Sequence, residues 1–157
     1  MPVHDVLMFA AACLVMVLTP GPNMIYLISR SICQGRKAGV TSLLGVVAGF
    51  FVHMLAAAVG LTAVFLAVPL AYEALKWAGA LYLLWMAWQA VRPGARSPFE
   101  ARALAPDTPS RLVMMGFLTS VLNPKVAMFY LSIFPQFISP EHGSLFIQSI
   151  LLGLTQI

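Results

Sequence analysis

Charge is what this sequence has least of. Only 9% of its 157 residues are Asp, Glu, Lys or Arg, against about 25% in soluble domains. No Asp or Glu lies inside an apolar run, Glu73 standing only at the wet start of one. A carboxylate relay or a carboxylate-built cation site is therefore excluded from the spans. Cysteine is nearly absent as well. Cys13 and Cys33 make no disulfide framework and read as small apolar packing residues. There is no Ser/His/Asp set, no phosphate-cradling Gly loop and no metal-ligand cluster. An enzyme, a cofactor and a bound metal thus have nothing to rest on. The net charge of +4 comes without a contiguous basic patch, so nucleic acid is no partner. No basic segment precedes the first apolar run, only His4 and Asp5, and that run is too long for the core of a cleavable signal.

What the chain does have is apolar length. Hydrophobic residues make up 61% of it and the mean hydropathy is +0.90. A chain of this size cannot bury that much apolar surface in water, so its solvent is the lipid bilayer. A membrane helix needs about 20 mostly apolar residues. Runs of that kind cover residues 6–29, 39–66, 70–91 and 111–135, and a fifth starts near 143. The third opens with Glu73 and Lys76, three apart on one helix face and read as a solvated pair. Trp77, Trp85 and Trp88 fit an interface belt or lipid-facing positions. The fifth run reaches only Ile157, about 22 Å of helix against a ~30 Å hydrocarbon core. The expectation is four full spans plus part of a fifth.

The few basic residues orient these spans. Arg30, Arg36 and Lys37 follow the first, and Arg92, Arg96, Arg102 and Arg111 follow the third. These are seven of the nine Lys and Arg residues. The positive-inside rule makes the 30–37 and 92–111 loops cytoplasmic and puts the N-terminus outside. Residues 92–110 hold four prolines and mixed charges, which predicts an irregular linker.

One sequence occurs twice. Leu14 to Leu27 (LVMVLTPGPNMIYL) and Leu118 to Leu131 (LTSVLNPKVAMFYL) share 7 of 14 positions at an offset of 104. Three spans precede the second copy, so the two copies enter the membrane from opposite faces. The predicted fold is an all-α integral membrane protein built as an inverted 3+3 repeat of transmembrane helices with its second repeat incomplete. The first repeat takes residues 1–91, the linker 92–110 and the second repeat 111–157. Helix-breaking residues at corresponding places of two apolar halves are the strongest sequence pointer to a transporter's binding site.

The breaks themselves carry chemistry. Thr19, Pro20, Gly21, Pro22 and Asn23 lie two-thirds of the way through the first span. Pro20 and Pro22 lack the N–H of a helix interior. Carbonyls near residues 16–18 should therefore lose their partners, which is tolerated only beside protein or a water-filled cavity. The predicted use is a broken helix whose freed backbone groups and Asn23 amide bind a polar solute. A packing kink is the plainer alternative. Asn123, Pro124 and Lys125 form the counterpart, and Lys125 is the one charge deep in any span. About 21 Å of helix separates it from Arg111, too far for its ammonium to snorkel to the interface. It is expected to pair with a substrate carboxylate or to join a proton relay.

His53 shares a face of the second span with Gly45 and Gly49. Gly45-x-x-x-Gly49 reads as a packing seam, serving a homo-oligomer as readily as an internal contact. His53 is then a proton carrier or a histidine hydrogen-bonded across a helix interface. Tyr26 and Tyr130, matched by the repeat, either offer hydroxyls to a cavity or pack.

These residues together resemble the LysE/RhtB family of amino-acid exporters. The resemblance rests on TPGPN at Thr19 to Asn23, Gly35-Arg36-Lys37-Ala38-Gly39, Gly79-Ala80-Leu81-Tyr82-Leu83, Gly116-Phe117, Asn123-Pro124-Lys125 and Pro135-Gln136-Phe137. It implies export of amino acids or close derivatives, as small zwitterionic solutes, across the bacterial inner membrane, driven by the proton gradient. It also implies six helices in about 200 residues, so the chain falls short of the family by most of its fifth helix and all of its sixth. A divalent-cation exporter would need carboxylates or thiolates in the spans. A non-transporting scaffold or non-functional fragment is the reading from a different class.

Overall fold

The computed structural model describes residues 2–67 and 106–157, with Trp77, Leu81, Leu84 and Trp88 between them. Apart from those four residues, the third predicted span lies outside the described residues. So do the Glu73–Lys76 pair, Trp85 and most of the 92–110 linker.

Among the described residues all regular structure is helical. The helices are α1 (Val3–Leu18), α2 (Pro22–Gln34), α3 (Arg36–Ala67), α4 (Pro109–Val121), α5 (Pro124–Ser132), α6 (Phe134–Phe137) and α7 (Leu145–Gln156). A 3-10 turn at Pro140–His142 separates α6 from α7.

The boundaries follow the prolines and glycines. α1 stops at Leu18 because Pro20 and Pro22 bring no N–H to Met16 and Leu18. Pro22 then serves as the first residue of α2, where a missing N–H costs nothing. Pro124 plays the same part for α5, with Asn123 as its cap. Gly35 takes φ 86°, a left-handed conformation suited to glycine, and so turns the chain from α2 into α3.

Each predicted broken span is thus two helices at an angle, 55° between α1 and α2 and 47° at the second break. α3 is long and apolar enough to cross a membrane unbroken, an 18-residue stretch within Arg36–Gly60 reaching mean hydropathy 2.1. Counting each bent pair as one span brings the described total to three.

Apolar side chains cover the outside as well as filling the interior. Leu14, Leu18, Leu44, Val59 and Leu122 are exposed, as are Trp77, Leu81, Leu84 and Trp88. Several buried positions are polar, among them Ser42, Ser120, Asn123, Ser132, Gln148 and Ser149. An outward apolar surface next to inward polar groups is what lipid as solvent requires.

Aromatic rings fill one end of the interior. Phe9 of α1 is fully buried and meets Phe134 edge-on at 5.3 Å and Phe137 at 5.5 Å. Tyr130 lies 4.6 Å from Phe134.

α3 and α4 form the tightest seam. A Cβ at Gly45 would lie 2.0 Å from the Val113 carbonyl oxygen, and one at Gly116 would lie 2.3 Å from the Ser42 carbonyl oxygen. At Gly49 it would meet Ser120 Cβ at 2.5 Å. The expected Gly45-x-x-x-Gly49 face is therefore an internal helix seam, and Gly116 of α4 completes it. Because the obstructing atoms at Gly45 and Gly116 are backbone, neither helix can yield locally. Gly45→Ala and Gly116→Ala are each expected to cost about 1–3 kcal/mol through overpacking. Gly60→Ala, where a Cβ meets nothing within 4 Å among the described residues, should lose no stability. Thermal unfolding of the three variants in detergent measures the difference.

Candidate functional site

The two helix breaks face each other. Pro20 has no N–H to offer the carbonyl of Met16, and that oxygen instead accepts a hydrogen bond from Lys125 Nζ at 2.6 Å. The same ammonium donates to the Thr19 carbonyl at 2.5 Å. Lys125 of the second break thus caps the C-terminal end of α1, where the helix dipole favours positive charge. The orphaned carbonyl expected at Met16 from the position of Pro20 is there, and a side chain 109 residues away meets it.

Gly21 makes the approach feasible. Its backbone is extended, at φ −159°, so glycine serves here for space rather than for conformational freedom. A Cβ on Gly21 would stand 3.1 Å from Lys125 Cδ, and the lysine stem lies against that gap.

The second break is capped in the same way. Pro124 leaves the Ser120 carbonyl without a helical partner, and Ser120 is the position matched to Met16 by the 104-residue offset. His53 Nε2 lies 3.0 Å from that carbonyl oxygen, which also accepts the Asn123 N–H at 3.1 Å. The His53 ring stacks on Tyr130 at 5.9 Å. His53 is a histidine hydrogen-bonded across a helix interface.

The asparagines divide the work. Asn123, 2% exposed, caps α5 by accepting the Lys125 backbone N–H at 3.0 Å. Asn23 reaches across from α2, its Nδ2 donating to Ser120 Oγ at 3.4 Å, while its Oδ1 is buried with no hydrogen-bond partner among the described residues.

Thr19, Gly21, Asn23, Asn123 and Lys125 all border one cavity of about 290 Å³. Its remaining wall is mainly aliphatic and aromatic, including Leu43, Val47 and Phe50 of α3 and Val126 of α5. Among the described residues Lys125 is the single charged side chain on it, and no Asp or Glu side chain lines it. Pro20, Pro22 and Pro124 shape the breaks without bordering the cavity, and Gly45, Gly49 and His53 stand apart from it. The arrangement presents one cation, two helix-end carbonyls and a small apolar chamber. It can hold a solute with a charged head and an uncharged body.

Two groups of contacts lie beyond what the sequence reading found. Gln156 of α7 borders the cavity and accepts the hydroxyl hydrogen bond of buried Tyr130. Tyr26 donates to the Leu112 carbonyl at 2.9 Å and lies 3.1 Å from Ser42 Oγ, so both repeat-matched tyrosines serve helix packing.

The larger surprise is an ion-pair cluster where α2 ends and α4 begins. Arg30 and Arg111 both pair with Asp107, Arg111 at 3.1 Å. Gln34 clasps the same residue twice, donating to its carboxylate at 2.9 Å and accepting its backbone N–H at 3.1 Å. Arg30 also sits 5.4 Å over the Tyr26 ring.

The Gln34 hydrogen bond, aided by the charges of Arg111 and Arg30, holds the Asp107 carboxyl below its ordinary value. A depressed folded value means that its stabilising effect is complete above about pH 4. The effect fades as the pH falls through the lower folded value. Asp107→Asn is accordingly expected to unfold at a lower temperature than wild type at pH 7. The gap should close towards pH 3. Paired thermal melts across that range check both the sign and the window.

Comparison with known proteins fits this geometry. The family model described as LysE type translocator matches residues 14–157. The homoserine/homoserine lactone efflux protein of Salmonella typhimurium is 36% identical over 141 residues, covering 89% of this chain and 67% of the relative. The leucine efflux protein of an Enterobacter species is 33% identical over 122 residues, covering 78% of this chain and 58% of the relative. An uncharacterized membrane protein of Vibrio cholerae is 28% identical over 158 residues, with 100% and 76% covered. The chain thus spans between about three fifths and three quarters of the length of these relatives. No solved structure matches it. With its apolar broken spans and a family match that takes in both breaks, the chain belongs to the LysE type translocators, a family of multi-pass membrane transport proteins.

Proposed function

We propose that the protein exports amino acids or their close derivatives through the cavity between the two helix breaks. The observation that carries this reading is Lys125, a lone cation placed at mid-span on the freed carbonyls of a broken helix and open to a small apolar chamber. An intramembrane cation of this kind is costly and marks a solute path. The substrate's carboxylate meets Lys125, and its uncharged body lies against the α3 wall.

The two breaks support an inverted repeat, with residues 1–91 as one half, 92–110 as the linker and 111–157 as part of the other. In this reading the matched carbonyls of Met16 and Ser120 are equivalent points of the two halves, capped by Lys125 and His53. Those two titratable groups are the candidates for coupling export to the proton gradient. The Asp107 cluster supports a topology in which the 30–37 and 92–111 loops share one side, taken as cytoplasmic by the positive-inside rule. In a bacterium that side is the interior of the inner membrane. No observation among the described residues favours a divalent-cation exporter or an inert scaffold, so neither is carried further.

The test is release of amino acids from preloaded cells expressing the protein. Wild type should raise the external concentration of at least one amino acid, and a protonophore should abolish the rise. Lys125→Ala is expected to cut the rate about 10- to 100-fold, the equivalent of one charge-assisted hydrogen bond. Unchanged export of every amino acid by Lys125→Ala would remove Lys125 from the mechanism.

A further inference from the structure

We infer that the carbonyls of Met16 and Thr19 are a binding site for the substrate's own ammonium group, and that Lys125 is its tethered occupant until substrate arrives. The inference rests on the export reading above and adds what that reading lacks, a partner for the positive end of the solute.

A zwitterion brings two charges into a space from which water is largely excluded, and each needs a counterpart. The cavity answers the carboxylate with Lys125. It offers the ammonium no carboxylate among the described residues, where no Asp or Glu side chain lines it. The acceptors available to a cation are therefore neutral oxygens at one place. Two are the Met16 and Thr19 carbonyls, at the negative end of the α1 dipole. The third is Asn23 Oδ1, on a side chain that borders the same cavity, buried and accepting no hydrogen bond among the described residues.

The carbonyl pair already accepts a primary ammonium. Lys125 Nζ is a primary ammonium, and it sits there at 2.6 and 2.5 Å. A substrate ammonium has the same charge, the same donors and nearly the same size. The two cannot occupy the carbonyls together. Binding then becomes an exchange. The incoming carboxylate draws Lys125 off α1, and the incoming ammonium takes the oxygens that Lys125 leaves, with Asn23 Oδ1 as an added acceptor. Before and after the exchange one ammonium rests on the carbonyl oxygens, the substrate carboxylate pairs with Lys125, and no proton changes hands. Gly21, whose missing Cβ leaves room beside Lys125 Cδ, lets the lysine stem swing without meeting a side chain.

The exchange has a signature that a purely structural pin lacks. A ligand with an ammonium and no carboxylate must displace Lys125 without giving it a partner, and so binds wild type poorly. Removing the lysine ammonium should turn that ligand into a good one. The experiment measures binding of L-leucine, its decarboxylated analogue 3-methylbutylamine and its deaminated analogue 4-methylpentanoate to purified protein in detergent. Wild type is compared with Lys125→Met, which keeps the apolar stem against Gly21, and with Asn23→Asp.

Wild type should prefer leucine to both analogues. In Lys125→Met, leucine and 4-methylpentanoate should weaken, while 3-methylbutylamine gains about tenfold, the affinity equivalent of one charge-assisted hydrogen bond. Asn23→Asp, with Lys125 intact, should also raise amine affinity, which keeps the test open if the methionine variant does not fold. Amine affinity that stays flat or falls in a monodisperse Lys125→Met, or in Asn23→Asp, overturns the exchange. A wild type that binds none of the three, nor any other amino acid, would instead overturn the export reading on which it rests.

Discussion

The ammonium of Lys125 on the carbonyls of Met16 and Thr19 is the contact from which the rest of this structure can be reasoned. Two prolines end a helix in the middle of an apolar span, and lipid offers nothing to the carbonyl thereby freed. A buried cation is equally unwelcome by itself. Each fault supplies the other's remedy. Once the two are joined, the second break must lie against the first, Gly21 must be small, and the polar groups of both breaks must face one another. The cavity is what remains between helices held apart by that polar strip and closed by aliphatic side chains.

The rest of the architecture keeps this contact in register. The glycine seam of α3 and α4 brings Ser120 close enough for His53 to cap its carbonyl and for Asn23 to reach its hydroxyl. The aromatic cluster around Phe9 anchors the start of α1 against α5 and α6. At the opposite end of the first break's second half, Asp107 gathers Arg30, Gln34 and Arg111 and so fastens α2 to α4. A polar centre flanked by two kinds of clamp gives the breaks a defined separation.

Much of this was legible in the sequence because the governing rules are local. A proline removes one donor at a known position, so the freed carbonyl at Met16 follows from Pro20 alone. Glycines at i and i+4 predict a close helix approach without naming the partner, and the structure supplies Val113 and Phe117. What stayed hidden depends on pairings across many residues. Asp107 was one acid in a proline-rich linker and Arg30 one of several topology-setting bases. Nothing local shows that they meet 77 residues apart with Gln34 between them. Gln156 was equally silent, since an amide near the end of an apolar run gains meaning only when Tyr130 is seen to hold it. His53 kept two readings open until its partner, the Ser120 carbonyl, gave the interface reading its geometry.

The glycine seam has a bearing on how such a sequence can change over time. Gly45 faces the backbone of α4 and Gly116 faces the backbone of α3, so each helix forbids a side chain on the other. Enlarging one position forces the axes apart, and the Ser120 carbonyl then drifts from His53. No compensating change at the facing glycine can help, because nothing smaller exists. Substitutions elsewhere on α3 and α4 have outward room to be absorbed in lipid, but these positions form a ratchet without a neutral step. Variation that tunes the solute is therefore steered to the cavity wall, to positions such as Leu43, Val47 and Phe50, where volume can be traded without moving a helix.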